Sequence, residues 1–121
     1  MDEPIDERPN VLHKGQVIEI RQSVQFAEWI GGLRDRRARV RISDRLKRLA
    51  AGHVGDGKPV GGGVQELRFV FGSGYRVYYI WLNGALVILL IGGDKGSQTR
   101  DIAKAKALAK EAKDGIENIT L

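Results

Sequence analysis

The sequence predicts an α+β domain: a small, mostly antiparallel twisted sheet, a helical hairpin packed on one of its faces, and a C-terminal helix. Three observations point there. Short runs of β-formers flank a long stretch of helical period, two of those runs are joined by Gly72-Ser73-Gly74, and the chain ends in an alanine-rich amphipathic segment. The length of 121 residues suits one core.

Met1–Asn10 hold two prolines and five charged side chains with little to bury. We read residues 1–12 as a flexible lead-in and residues 13–121 as a single domain. In Gln16–Gln22, Val17, Glu19 and Arg21 alternate with Ile18 and Ile20, the pattern of a strand with one wet face. Ser23 is placed to cap a helix whose stripe is Phe26, Trp29, Ile30 and Leu33, and Gly31-Gly32 interrupts it. From Leu33 to Ala51 the period is again helical, with Ala38, Ile42, Leu46, Leu49 and Ala50 on one side. Eight of these 19 residues are Arg or Lys against two Asp, so the outer side of this helix carries a strong positive field. Gly52 is a natural stop. Gly52–Gly63 reads as a mobile glycine-rich loop carrying Lys58; without a Gly-Lys-Ser/Thr ending it is no nucleotide cradle. Ala85–Gly93 is apolar throughout, as in a strand buried on both faces. Ser97–Asp114 is the last helix, with Ile102, Ala105, Leu108, Ala109 and Ala112 inward. With two helices on one side, the other face of the sheet is expected to stay open.

Composition excludes several classes of protein. The 42% hydrophobic and 29% charged content is that of a globular chain, and no apolar run approaches the roughly 20 residues of a membrane-spanning helix. The absence of cysteine removes disulfides and thiolate metal sites and suits a reducing cytoplasm. The two histidines, His13 and His53, lie far apart with no acidic pattern around either, so neither a metal nor another cofactor is expected. A net charge of +5 calls for an anionic partner: nucleic acid, an acidic protein or anionic lipid.

The stretch Glu66–Trp81, ELRFVFGSGYRVYYIW, sharpens that choice. A three-residue loop with Gly74 left-handed would pair Phe71 with Tyr75, Val70 with Arg76 and Arg68 with Tyr78. Glu66, Arg68, Val70, Arg76, Tyr78 and Ile80 then share one face, with the two arginines as diagonal neighbours about 7–8 Å apart. Two guanidiniums so close repel, and Glu66 is the neighbour that neutralises them. Planar forks of this kind match phosphate oxygens. The wet side of an antiparallel sheet also carries such charge routinely.

The order of elements, Gly-Tyr-Arg-Val-Tyr-Tyr at Gly74–Tyr79 and Gly-Gly-Asp-Lys-Gly-Ser-Gln at Gly92–Gln98 resemble the RelE/ParE toxin superfamily. The resemblance is closest to its HigB-like branch of addiction-module killer or phage Gp49-like proteins, and it runs from about Val17 to Lys113. It implies a RelE-like fold and the toxin of a type II toxin–antitoxin pair, partnered by a helix-turn-helix, HigA-like antitoxin. It further implies metal-independent cleavage of mRNA on the ribosome, in which a ribose 2′-hydroxyl attacks its own 3′-phosphate. On that resemblance Arg68 and Arg76 hold and stabilise the scissile phosphate. Lys95 matches a position where relatives place a basic or aromatic catalytic group. Asp94 accepts a proton, orients Lys95, or simply starts the following turn. Tyr78 would stack on a base and Lys58 would steer RNA. The sequence departs from some relatives in lacking a catalytic histidine and a C-terminal tyrosine. Two alternatives stay open: a ParE-like inhibitor of DNA gyrase without nuclease chemistry, and a non-catalytic nucleic-acid-binding module.

Overall fold

The computed structural model describes residues 18–53 and 57–118. The lead-in over residues 1–12, the domain start at residue 13 and the first residues of the expected Gln16–Gln22 strand lie outside the described residues. The elements run β1 (Glu19–Gln22), α1 (Val24–Gly32), α2 (Arg36–Ala50), β2 (Lys58–Gly61), β3 (Val64–Arg68), β4 (Arg76–Leu82), β5 (Leu86–Gly93), a single 3₁₀ turn (Lys95–Ser97) and α3 (Gln98–Asn118). One five-stranded sheet has the order β1-β5-β4-β3-β2. Three of its four pairings are antiparallel, and β1 pairs with β5 in parallel. The α+β class is as the sequence predicts.

Local chemistry sets the helix ends. Ser23 caps α1: its Oγ accepts from the Phe26 N–H at 2.9 Å and donates to the Leu90 carbonyl of β5 at 2.6 Å. The helix closes at Gly32. The second helix starts three residues later than the hydrophobic period suggests, because Asp35 takes the cap position and accepts from Ala38 N–H. It ends as expected, with Gly52 at a φ of 106°. Gly52–Gly63 is not all loop: Lys58–Gly61 pairs with β3 as an edge strand.

The sheet has a core on each face. Toward α1 and α2, Phe26, Ile42 and Leu49 pack on Leu67, Val77, Tyr79, Trp81, Val87 and Leu89. Toward α3, Ala105 and Ala109 pack on Val64, Tyr78, Ile80, Leu82, Leu90 and Ile91. The second face is therefore not open, contrary to expectation. The physical reason lies in β4 and β5, which carry large apolar side chains on both sides and need a cover on both.

Gly92 and Gly93 end β5 where no side chain fits. A Cβ at Gly92 would overlap the Trp29 ring of α1, and one at Gly93 would overlap the Asp101 carboxylate of α3. The two glycines let one helix close down on each side of the same strand end.

Candidate anion site

The predicted loop geometry is right in one respect and wrong in another. Gly74 is left-handed, with φ 76°, and its N–H bonds to Phe71 C=O. The strands, however, part earlier: Phe69 N–H reaches Tyr75 C=O, and Arg68 pairs directly with Arg76, Leu67 with Val77 and Glu66 with Tyr78. The register differs from the expected one by two residues. An even shift preserves the faces, so Arg68 and Arg76 still share one side, as a cross-strand pair and not as diagonal neighbours. The reason is on the opposite face. Phe69 meets Phe71 edge-on and Phe71 lies tilted against Tyr75, with Arg41 over the Phe71 ring and Arg45 over Phe69 at 4.8 and 5.1 Å. That contact with α2 holds the loop ends apart.

Two rows of side chains cross the site face. In one, Lys58, Glu66 and Tyr78 stand side by side on β2, β3 and β4; in the next, Arg68, Arg76 and the bare end of β5 at Gly93. Lys95 completes the group. Its N–H bonds to Ser73 C=O at 3.3 Å, and Gly74 lies between its side chain and Arg76: a Cβ on Gly74 would stand 3.3 Å from Lys95 Cβ and 3.4 Å from an Arg76 terminal nitrogen. Lys58 and Lys95 are exposed, and the Arg68 side chain is 49% exposed.

Arg76 is different. Only 9% of its side chain is exposed, where the wet-face pattern implied a solvated arginine. One terminal nitrogen donates to Gly74 C=O at 2.8 Å, and Nε lies 3.7 Å from Glu66 Oε2. Tyr78 is fully buried under α3, so the expected stacking on a base is closed to it here; its hydroxyl donates to Glu66 Oε2 at 3.0 Å. Asp94 is the start residue of the 3₁₀ turn: its Oδ1 accepts Ser97 N–H while Ser97 Oγ accepts Asp94 N–H, both at 3.2 Å. It thereby fixes the backbone that carries Lys95.

Glu66 is the hub, and sequence reading noticed it only as a neighbour. It is fully buried, yet Arg68 Nε donates to Oε1 at 2.6 Å and Gln98 Nε2 to Oε2 at 3.0 Å, in addition to Tyr78. Burial pushes its pKa up, but the bonds from Arg68, Gln98 and Tyr78 and the charge of Arg68 outweigh that and hold it below the usual range. Burial, followed by the bond to Glu66, drives the Tyr78 phenol far above its ordinary value. The bond to Glu66 raises the Arg68 pKa further. Gln98 was visible in the sequence only as the last residue of the Gly92–Gln98 motif, since its side chain reaches β3 only once α3 is in place. Among the described residues, no group of three or more His, Asp or Glu is placed to hold a metal ion.

A five-stranded mixed sheet with a helical hairpin on one face, a helix on the other and cations gathered at the strand ends defines a RelE-like α+β protein. Solved structures that carry this fold include two toxin–antitoxin complexes. A chain of the intact E. coli RelBE toxin–antitoxin complex superposes with a TM-score of 0.53 at 12% identity, covering 64% of this chain and 95% of that one. A chain of the RelBE2 toxin–antitoxin complex of Mycobacterium tuberculosis gives 0.52 at 18% identity, covering 65% and 99%. Residues 28–114 match the family of phage derived protein Gp49-like (DUF891), and the chain belongs to that family. An uncharacterized protein of Haemophilus influenzae is 49% identical over 94 residues, 78% of this chain and 95% of that protein.

Proposed function

We propose that this protein is the toxin of a type II toxin–antitoxin pair and that it cleaves mRNA at the ribosome without a metal ion. The observation that carries the reading is the cross-strand pair Arg68–Arg76 with Lys95 beside it across Gly74, all at one end of the sheet. Such a cluster suits a single phosphate whose charge grows in the transition state. In the reaction the 2′-oxygen bonds to phosphorus and the bond to the 5′-oxygen breaks. A 2′,3′-cyclic phosphate and a 5′-hydroxyl result, the proton lost at the 2′ position being balanced by one gained at the 5′. Arg68 and Arg76 stabilise the equatorial oxygens, and Lys95 neutralises the departing 5′-oxygen. Asp94 serves by holding the turn under Lys95, and Lys58 draws the RNA strand along the adjoining row. Two solved structures with this fold are toxin–antitoxin complexes, which supports an antitoxin partner here.

Expression of the chain alone should arrest growth and depress protein synthesis, and purified protein should cut ribosome-bound message in a single turnover. One feature favours a second reading: Arg76 and Tyr78 are both buried, which narrows the surface left for RNA chemistry. Blocked DNA supercoiling and DNA damage with continued translation would decide for the gyrase-directed class.

A further inference from the structure

We propose that Glu66 is the positioning residue of this site: a buried carboxylate that grips Arg68 by its Nε edge, lies against the mostly buried Arg76, and so turns the free end of Arg68 outward to a phosphate held over the pair. The role rests on the phosphate-site reading above, but the geometry behind it stands by itself. Arg68 and Arg76 are directly opposed across β3 and β4, where like charges repel, and Arg68 is half exposed on a long flexible stem. Without an anchor, Arg68 would turn away from Arg76. Glu66 supplies the anchor at 2.6 Å, and the terminal nitrogens of Arg68 have no hydrogen-bond partner among the described residues. They remain available to an incoming anion. Arg76 donates to Gly74 C=O at 2.8 Å, while its buried Nε lies 3.7 Å from Glu66 Oε2, close enough for charge attraction but without a hydrogen bond.

A carboxylate with no solvent exposure is useful here only if it is itself immobile, and Tyr78 and Gln98 ensure that. These donors come from β4 and α3, so three elements converge on one anion. The arrangement is that of a carboxylate behind a ligand-binding group, which sets direction and does not touch substrate. It also lowers the net charge of the pair, trading affinity for orientation.

The test is Glu66→Gln, which keeps shape and removes charge. Three quantities are read: single-turnover cleavage, affinity for an uncleavable 2′-deoxy oligonucleotide, and the Arg68 Nε–H signal in nitrogen-edited NMR. Cleavage should fall up to about 10²-fold, as expected when reacting groups are misplaced. Oligonucleotide binding should tighten by about 2-fold to 5-fold, since one negative charge is gone. A purely structural residue would lower both. The Arg68 Nε–H signal should be shifted and slow to exchange in the native protein and should lose that protection in Glu66→Gln. Glu66→Asp, which keeps the charge, should restore wild-type affinity and part of the rate. If the native protein cuts no RNA, the nuclease reading fails, while the Arg68 signal still decides the role of Glu66. Should Glu66→Gln not fold, Gln98→Ala, at a half-buried position, must disturb the same signal. An Arg68 Nε–H signal unchanged in a folded variant overturns the proposal.

Discussion

Arg68 and Arg76 are cross-strand partners, but their surroundings separate them. Arg76 is buried against Glu66 and Gly74 C=O, so its truncation to Ala would remove both a site cation and part of a buried ion pair. The second loss would cost about 1–3 kcal/mol of stability. Replacement by Lys is the cleaner probe, because a charge stays beside Glu66 while the planar fork is lost. Both Arg68→Lys and Arg76→Lys should fold, with cleavage reduced by about 10²–10³; single-turnover assays beside melting curves check this. Glu66 makes a separate prediction on stability. Its folded pKa is depressed below the ordinary 4.5, so its contribution is present above that value and is lost as pH falls through the lower folded value. Urea unfolding between pH 7 and pH 3 should therefore show an acid limb that is blunted in Glu66→Gln.

Among the elements, the β3–β4 hairpin shows what a sequence can and cannot carry. Alternation put Arg68, Arg76, Glu66 and Tyr78 on one face, because side-chain parity is a local property of a strand. Register was not local. It depends on Arg41 and Arg45 of α2 lying over Phe71 and Phe69, contacts between segments with no shared periodicity. The burial of Tyr78 was equally hidden, since it follows from where α3 docks. The segment Gly-Gly-Asp-Lys was legible as a motif, and its physical meaning emerged from the packing of Trp29 and Asp101 against two bare Cα atoms. Gly92→Ala should destabilise by about 1–3 kcal/mol through overpacking. Pairing it with Trp29→Leu should recover part of that loss. Chemical denaturation of the two single variants and the double variant measures the coupling.

At the scale of the molecule, the surplus of positive charge is spread unevenly. The exposed arginines of α2 lie on one side of the sheet and the cluster of Arg68, Lys95 and Lys58 lies at its end. An acidic segment of the proposed antitoxin would complement such a field, and its association should be fast and salt-dependent. Stopped-flow association should slow at least about tenfold between low and high salt, mainly through the on-rate. A rate indifferent to salt would remove electrostatic steering from the account. The described helices include none long and apolar enough to cross a membrane.

The parallel pairing of β1 with β5 has a consequence for the order in which the molecule assembles. Glu19–Gln22 waits for Leu86–Leu89, and Ser23 cannot complete its bond to Leu90 until a segment 67 residues later exists. During synthesis from the N-terminus, α2 and then the β3–β4 hairpin can form early, because their contacts are short-range. The docking of β1 on β5, the turn bearing Lys95 and the Gln98 grip on Glu66 all come afterwards. A nascent copy thus holds two arginines on an unfinished sheet, with neither their lysine neighbour nor their helical brace. For a protein read as acting on translating ribosomes, competence arrives only once α3 has docked and Gln98 has reached Glu66.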